Sequence, residues 1–385
     1  MKNIYHSDIY KFNTPVKSYW EDNSQENLNL EKLTKDVKSE IVVIGGGYTG
    51  LLCAINLIEN HDLDVILVEA GKIGWGASSR NAGFNCLPPS KMSFKKMQSI
   101  YGNDETKKFY KNSVEGSNYT KDIIKEYNID CDVTGNSNYV VAHHPNKFEQ
   151  IKEQARAYKD EFEIETEVYS KEEFNQIGHG GTEQYGAFSY KPGFAINPLK
   201  FVNGIAKHAL SKKLKIFEHT KVDQINKDNG SYLLKTKEGS IRSKKIVLAT
   251  NGFYQEGLVP KMDGRVLPVI SNIIVTRKLN DDELNAHNFK TFSPIANTKN
   301  LLYYYRKLPD NRILFGTRGD LSGSDQSNLD MSKKMEKFLK DIFPKWSNIN
   351  IEYNWRGLIA LSQKLTPSIG KIDNEEIYYG FGYNG

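Results

Sequence analysis

A glycine-rich loop between a short apolar run and a helix-prone segment constrains the fold of this 385-residue chain more than any other feature. The β-branched run at residues 41–44 is too short for a helix and predicts a strand, and residues 51–58 predict a helix. Between them, Gly45 permits a tight turn, Gly47 lets the backbone approach a pyrophosphate, and Gly50 lets the helix pack closely. Because phosphates bind the free N–H groups at a helix start, this unit predicts a dinucleotide site.

A second predicted strand strengthens this interpretation. Residues 65–68 form an apolar run that ends in Glu69, 19 residues beyond Gly50. An acidic side chain at that place accepts both ribose hydroxyls of an adenosine and repels a 2′-phosphate. The alternative is a glycine-rich turn in some other parallel sheet, but strand, spacing and acid together favour dinucleotide binding.

Composition limits the kind of protein and its partners. A chain of 385 residues is too long for one ordinary core, so we expect two domains. The 52 basic and 47 acidic residues are scattered, which indicates neither a nucleic-acid partner nor a membrane surface. Cys53, Cys86 and Cys131 lack paired spacing, which fits a reducing cytosol, and we expect a cytoplasmic protein. We find neither a secretion signal in residues 1–8 nor a window with the roughly 18 apolar residues of a membrane span.

A glycine- and serine-rich stretch at residues 70–84 follows Glu69. Such small residues cannot build a core, but they allow backbone N–H groups and the Ser and Arg side chains to face an anion. We therefore predict Ser79 or Arg80 at the pyrophosphate. The alternative is a plain flexible loop, which the near absence of other charge in the stretch disfavours.

The chain changes character several times along its length. Residues 1–37 are polar and predict a surface extension anchored by the rings of Tyr19 and Trp20. We assign to the dinucleotide-binding domain residues 38–90, 197–255 and 355–385, and to a substrate domain residues 91–196 and 256–354. The predicted helices cover residues 104–127, 146–162, 198–211 and 330–342. The predicted strands include residues 139–142, 214–217, 222–225, 232–236, 241, 245–252, 269–276 and 377–379, with a hairpin at 301–316.

Seven motifs occur in a fixed order along residues 38–385. They lie at residues 43–50, 73–83, 197–199, 248–252, 304–306, 355–357 and 367–370. The most specific is Trp-Gly-Ala-Ser-x-Arg-Asn-x-Gly, which begins at Trp75. In these motifs the chain resembles the flavin-dependent amine and amino-acid oxidase superfamily, which includes D-amino-acid oxidase, glycine oxidase and sarcosine oxidase. It looks closest to the gamma-glutamylputrescine oxidase-like branch.

The resemblance implies a fold and a cofactor. The fold class is α/β with an α+β second domain: a discontinuous Rossmann-like FAD-binding domain interleaved with a substrate domain on a mostly antiparallel sheet. The cofactor is FAD rather than NAD. It is noncovalent, because the positions where relatives attach flavin carry neither Cys nor His here. For Thr250 alone, an ordinary strand-to-loop transition stays open. The candidate FAD-binding residues are Gly45, Gly47, Tyr48, Thr49, Gly50, Glu69, Ala70, Ser79, Arg80, Asn81, Val222, Thr250, Asn251, Gly252, Gly370 and Gly382.

The resemblance also implies oxidation of a C–N bond in a small amine or amino acid. The lone pair of a neutral amine expels a hydride to flavin N5, and water hydrolyses the imine, so the protein supplies orientation and a dry pocket. Arg306 resembles the carboxylate-binding arginine of glycine oxidase; the alternative is a hairpin arginine paired with an acid. Tyr303 and Tyr305 either line the pocket or pack. The histidines predict surface or capping roles rather than catalytic bases: His143, His144, His179 and His208.

Two departures from the family pattern leave a second hypothesis open. The chain stops at Gly385, where relatives usually continue into a last helix, and residues 363–365 lack an acid that relatives often place there. The alternative function is a flavoprotein fragment or subunit that binds FAD without turnover of its own. An NAD-dependent dehydrogenase is a third candidate. Oxygen, a protein or a quinone are the candidate electron acceptors.

Overall fold

A computed structural model describes residues 4–24, 26–88, 90 and 92–383. The predicted domain boundary at Lys91 and the last two residues, Asn384 and Gly385, lie outside these described residues. The helices are α1 Tyr19–Asp22, α2 Tyr48–His61, α3 Ala77–Arg80, α4 Phe94–Tyr101, α5 Asn103–Glu126, α6 Phe148–Phe162, α7 Lys171–Ile177, α8 Pro198–Ser211, α9 Asp281–Ala286 and α10 Asp325–Ile342.

The strands form two large sheets and one small one. They are β1 Val37–Ile44, β2 Val65–Val68, β3 Phe84–Asn85, β4 Asn138–Val141, β5 Glu165–Tyr169, β6 Ala187–Lys191, β7 Phe194–Ala195, β8 Lys215–Phe217, β9 Gln224–Asp228, β10 Ser231–Lys235, β11 Ser240–Leu248, β12 Leu267–Thr276, β13 Ile295–Asn297, β14 Tyr304–Lys307, β15 Ile313–Arg318, β16 Ile351–Leu361, β17 Ser368–Lys371 and β18 Ile377–Phe381. The small sheet pairs β3 with β7.

The first large sheet has the order β17-β18-β11-β1-β2-β8, and the β9–β10 hairpin joins it at β11. Strand β1 pairs in parallel with both β11 and β2, and β2 pairs in parallel with β8. The side chains of β1 alternate between two cores, because Val43 packs into one hydrophobic cluster and Val42 into another. A parallel strand buried on both faces is typical of a doubly wound sheet, so the predicted Rossmann-like part is present.

The second large sheet has the order β16-β12-β15-β14-β13-β4-β6-β5 and is antiparallel except where β13 meets β4. Paired residues share a face of a sheet, so the register sets two faces. One face, which we call the cavity face because it lines the cavity described in the next subsection, carries Ser271, Tyr304, Ala296 and Val140. The core face carries Tyr305 and packs against α10 in a hydrophobic cluster with Phe315, Met335 and Phe343. The predicted fold class is therefore confirmed.

Some element boundaries differ from the predictions. Strand β16 pairs with β12 from Ile351 to Leu361, so residues 355–361 belong by pairing to the second sheet rather than to the predicted segment 355–385. Helix α10 begins at Asp325 instead of residue 330, because the Ser324 hydroxyl caps its first turn by accepting a hydrogen bond from Ser327 N. The remaining domain boundaries stay predictions.

The N-terminal extension lies across both sheets. As predicted, the rings of Tyr19 and Trp20 anchor it, since both are buried. Ahead of them, residues 5–14 form a segment that we call the N-terminal strap. Its Tyr5 hydroxyl donates to Pro268 O at 2.8 Å, and Trp75 Nε1 donates to Thr14 O at 2.8 Å. None of the helices in the described part of the chain has the length and apolar character needed to cross a bilayer.

Candidate functional site

A cavity of about 1060 Å³ is lined by both large sheets. On one side it meets the loop between β1 and α2, the end of β2 and residues 249–251 after β11. On the other it meets the cavity face of the second sheet. The parallel strands β1, β2 and β11 all end at this cavity, and ligands of open α/β sheets bind at such carboxyl ends.

The three loop glycines are placed as their spacing predicts. Gly45 has φ +113°, and a Cβ there would lie 2.7 Å from the Ala249 carbonyl oxygen, so only glycine fits. A Cβ on Gly50 would lie 1.9 Å from Gly45 O, which shows how closely α2 packs on the turn. Gly47 lines the cavity and is the N-cap of α2 without a side-chain cap. A Cβ at Gly47 would lie 2.6 Å from Ser78 Oγ, so the loop forms a backbone cradle at a helix start.

Glu69 stands at the end of β2 and lines the same cavity. Its carboxylate accepts hydrogen bonds from Gly46 N at 2.8 Å and Gly71 N at 2.9 Å. Burial raises the pKa of Glu69 above its ordinary value, and these N–H donors oppose the shift. Thr220 N donates to Glu69 O at 2.8 Å, which brings the predicted FAD-binding residue Val222 to the same wall.

Arg80 lines the cavity beside aromatic rings. Its guanidinium carbon is 4.0 Å from the centroid of the Trp75 ring, and its Nε donates to Trp75 O at 2.6 Å. Its Nη1 donates to Arg356 O at 3.1 Å. Burial lowers the pKa of Arg80 to about 9. The neighbouring Asn81 amide holds this turn by donating to Ser78 O at 3.0 Å, so the predicted pair Arg80 and Asn81 shapes the wall.

Ser78, rather than the predicted Ser79, faces the glycine loop. The Ser79 hydroxyl donates to Gly74 O and Gly76 O, and the side chain is buried behind the wall. Ser78 lines the cavity, and its Oγ accepts a hydrogen bond from Tyr48 N at 3.1 Å. Ser79 was the predicted serine, and only the direction of the short helix α3 shows that Ser78 is the serine on the cavity side.

Eleven of the predicted cofactor residues lie on the cavity wall. They are Gly45, Gly47, Tyr48, Thr49, Glu69, Ala70, Arg80, Asn81, Val222, Thr250 and Asn251. Besides Gly50 and Ser79, three others lie behind it. Gly252 packs on β16, where a Cβ would lie 3.1 Å from that of Leu358. A Cβ on Gly370 of β17 would lie 2.7 Å from the Tyr379 hydroxyl, and Gly382 N donates to Asn251 Oδ1 at 3.0 Å.

The predicted substrate residues do not line the described cavity: Tyr303 immediately precedes β14, and Tyr305 and Arg306 lie on it. Tyr303 and Tyr305 point to the core face, where the Tyr305 hydroxyl lies 2.9 Å from His179 Nε2. Of the two predicted alternatives, both tyrosines therefore pack rather than line the pocket, because residues alternate along a strand and Tyr304 takes the cavity side. Arg306 shares that side but is buried behind the described wall, where its Nη2 donates to Ile196 O at 2.7 Å.

The candidate histidines also lie away from the described wall. His179 is fully buried on the core face, and His143 Nδ1 lies 2.7 Å from Thr298 Oγ1. His144 caps a turn by accepting from Asn146 N, and His208 stacks on Tyr127. The placement of His144 agrees with the predicted surface or capping roles, whereas His179 is buried in the core rather than at the surface.

Arg318 is a cavity residue that the sequence analysis missed. It ends β15 and lines the cavity, and its Nε is buried without a hydrogen-bond partner among the described residues. Burial lowers the pKa of Arg318, and the neighbouring group that opposes the shift is the Tyr304 phenol rather than a carboxylate. The Tyr304 hydroxyl lies 2.7 Å from Ser271 Oγ. This end of the cavity therefore offers a cation and hydroxyls to an anionic group.

The N-terminal strap supplies cavity residues that were not predicted. Tyr10 and Phe12 line the cavity, and the Phe12 ring centroid lies 4.8 Å from that of Trp75 and 6.3 Å from that of Phe253. The available signal in the sequence was the pair of aromatic residues, Tyr10 and Phe12, in an otherwise polar segment. The cavity thus has an aromatic wall that closes over the 74–82 loop.

The donor set at the first sheet fits an adenine dinucleotide. The Gly47 cradle, which a Cβ would fill, lies at a helix start without a side-chain cap. Backbone N–H groups and the helix dipole suit a diphosphate there. Glu69 at the end of the neighbouring strand suits ribose hydroxyls.

Comparisons with known proteins agree with this fit. The chain is 27% identical to Gamma-glutamylputrescine oxidoreductase of Escherichia coli (strain K12), over 96% of this chain and 85% of that protein. It is 28% identical to Probable oxidoreductase OrdL of Haemophilus influenzae, over 98% of this chain and 85% of that protein. The crystal structure of glycine oxidase from Geobacillus kaustophilus shares the fold, with a TM-score of 0.70, 17% identity and 90% of each chain covered.

A family model described as FAD dependent oxidoreductase matches residues 40–385. This match covers most of the chain, and it confirms the predicted resemblance and FAD as the cofactor. The chain belongs to the DAO family of FAD-dependent oxidoreductases.

Proposed function

We propose that the chain oxidises a C–N bond of an amine or amino acid with noncovalently bound FAD. The observation that carries the proposal is that one cavity joins the dinucleotide cradle at Gly47 and Glu69 to the cationic end at Arg318. Two similar proteins, Gamma-glutamylputrescine oxidoreductase and glycine oxidase, are named as enzymes that act on amines, which supports this proposal.

The residues of the chain bind the cofactor and orient the substrate, and they do not themselves react. The turn at Gly45 and Gly47 would hold the diphosphate, Glu69 would hold the adenosine ribose, and the loop that carries Arg80 would lie beside the cofactor. The bound FAD would supply the oxidising power, as acceptor of the hydride lost from the carbon next to the amine nitrogen, and water would then hydrolyse the resulting imine. Arg318 would orient an acidic group of the substrate. The aromatic walls exclude water, which strengthens every electrostatic contact inside.

An anaerobic titration tests this function. The purified chain is mixed with sarcosine, glycine, D-amino acids and gamma-glutamylputrescine while its visible absorbance is recorded. We expect a yellow protein whose colour bleaches with at least one amine and returns with an electron acceptor, oxygen being tried first. A yellow protein inert to the whole panel supports the alternative of an FAD-binding subunit without turnover. A colourless preparation that fails to take up FAD contradicts the proposal.

Truncating the strap is expected to weaken cofactor binding. Phe12→Ala removes a ring that lines the cavity beside Trp75 and Phe253. An aromatic contact of this kind contributes about 1 kcal/mol beyond area burial, so the FAD dissociation constant should rise about tenfold or more. Flavin fluorescence during titration measures it.

Tyr5→Phe is the matched control, because Tyr5 lies on the same strap and loses only its hydrogen bond to Pro268 O. We expect its FAD affinity to stay within about twofold of the parent chain. An unchanged affinity in Phe12→Ala would show that the strap only covers the fold.

A further inference from the structure

We propose that a second pocket binds a small carboxylic acid with an apolar body, and that this acid competes with the substrate for Arg318. The pocket, which we call the side pocket, lies between Thr317 of β15 and the side chains of Met331 and Phe338 on α10. Its volume is about 330 Å³, near the lower end of the roughly 300–1,000 Å³ of small-molecule sites. Binding of the acid is independent of the proposed function, whereas its effect on the substrate rests on that function.

The side pocket and the main cavity lie on opposite faces of the second sheet. Tyr303, on the core face, lines the side pocket, whereas Leu302 and Tyr304 line the main cavity. Among the described residues, Arg318 alone lines both spaces. Arg318 is the last residue of β15, and a side chain at the end of a strand can be reached from both faces of the sheet. A ligand in the side pocket can therefore contact the same guanidinium as a substrate in the main cavity.

The wall of the side pocket carries positive charge. Lys299, Lys334 and Arg318 line it, and no acidic residue of the described chain does. The Lys299 ammonium is already paired with the Glu183 carboxylate at 2.7 Å. Within the described residues, Lys334 and Arg318 have no carboxylate partner. Two cations are thus available to one anionic group.

The guanidinium of Arg318 can form a two-bond pair with only one carboxylate at a time. Its Nε is fully buried, whereas its two terminal nitrogens are not among the buried unpaired atoms and keep open surface. Because a carboxylate binds two adjacent N–H groups of a guanidinium, the open edge is the one between Nη1 and Nη2. An acid in the side pocket therefore occupies the edge that a substrate carboxylate needs.

The rest of the side pocket suits an apolar body. Met331, Lys334 and Phe338 lie on one face of α10, because they are spaced three and four residues apart. The Phe338 ring stacks on that of Tyr303, with 5.4 Å between the ring centroids. A short aliphatic acid places its carboxylate between Lys334 and Arg318 and its methylene groups on these side chains. Inorganic phosphate would leave the apolar wall without a contact.

Calorimetric titration of the FAD-loaded protein with hexanoate tests the binding, and hexanamide is the neutral ligand of matched shape. We expect hexanoate to bind and hexanamide to bind about 100-fold more weakly, since contacts to two cations lose their charge assistance. A protein that does not bind hexanoate, or that binds both ligands equally, would overturn the proposal.

Lys334→Gln locates the bound acid, because Lys334 lines the side pocket and not the main cavity. We expect it to weaken hexanoate binding about tenfold, since one charge-assisted contact is lost. Lys333→Gln is the matched control: Lys333 precedes Lys334 on α10, is exposed and lines neither space. Its hexanoate affinity should equal that of the parent chain. An unchanged affinity in Lys334→Gln would place the acid in the main cavity and contradict the side pocket.

Steady-state kinetics test the competition for Arg318. At a hexanoate concentration roughly ten times its dissociation constant, KM for glycine should rise about tenfold. KM for methylamine, which has no carboxylate, should change less than about twofold. An equal rise for both amines would mean that hexanoate fills the main cavity, and no rise for glycine would remove the competition. If no amine bleaches the flavin, the proposed function fails, and the calorimetric comparison still decides whether the side pocket binds the acid.

Discussion

Gly47→Val is expected to give a folded protein that does not retain FAD. The backbone of Gly47 has φ −88°, which any residue adopts, and the atom that a Cβ would meet is the Ser78 hydroxyl, which can rotate away. The substitution therefore spares the fold but fills the cradle at the start of α2. At least two charge-assisted N–H contacts to the diphosphate are lost, each worth about 1.5–3 kcal/mol. The FAD dissociation constant should rise about 100-fold or more.

Variants at two other glycines serve as comparisons for Gly47→Val. Gly45→Ala places a Cβ 2.7 Å from a backbone carbonyl at φ +113°, so we expect it to lower Tm as well as FAD content. Gly116→Val adds a side chain on α5, where a Cβ meets nothing within 4 Å, and should leave FAD affinity unchanged. Flavin fluorescence and circular dichroism on the three variants separate loss of cofactor from loss of fold. A Gly47→Val protein that binds FAD like the parent would place the diphosphate elsewhere.

Arg318→Met is expected to lower kcat/KM for amines that carry a carboxylate by about 100- to 1000-fold. The guanidinium of Arg318 lies on the cavity wall with a buried Nε that has no partner among the described residues. Breaking a guanidinium–carboxylate pair in a site shielded from water costs about 3–5 kcal/mol. Amines without an acidic group should lose much less. Steady-state kinetics with a matched pair, such as glycine and methylamine, measure the difference.

Arg306→Met is the matched control for Arg318→Met. Arg306 is buried behind the wall, its pKa is lowered to about 9 by burial, and two of its nitrogens have no partner among the described residues. Replacing such a buried cation with an apolar chain of similar length is often neutral or stabilising. We expect kcat/KM to stay within about threefold and Tm not to fall. If instead Arg306→Met loses the acidic amines and Arg318→Met keeps them, the sequence-based choice of Arg306 is correct.

The cofactor end was largely predictable from local sequence because its geometry is local. The turn at Gly45 needs a positive φ, and the packing of Gly50 on that turn leaves no room for a side chain. Helix starts were also predictable, because they depend on the same kind of local geometry. Asn197 caps α8 by accepting hydrogen bonds from Leu199 N and Lys200 N, both at 3.2 Å. Such features depend on a few neighbouring residues, so the spacing alone places them.

The substrate end was less predictable because it depends on distant packing. The choice between Tyr304 and its neighbours depends on which face of β14 is covered, and α10 covers the core face with Met331 and Met335. That helix follows β15 in sequence and gives no local signal on β14. The strap also contributes from a distant part of the sequence, since Phe12 reaches the cavity from outside both sheets. The Phe315-Gly316-Thr317-Arg318 stretch marks an alternating strand, but its facing direction follows only from pairing of Gly316 with Tyr304.

The most direct test of the account is the flavin content of the purified chain after incubation with FAD and gel filtration, with Gly47→Val carried in parallel. The account predicts one FAD per parent chain, released intact by denaturation because it is noncovalent, and almost none in the variant. Equal flavin in both proteins, or none in the parent, would contradict a cofactor held at the amino end of α2.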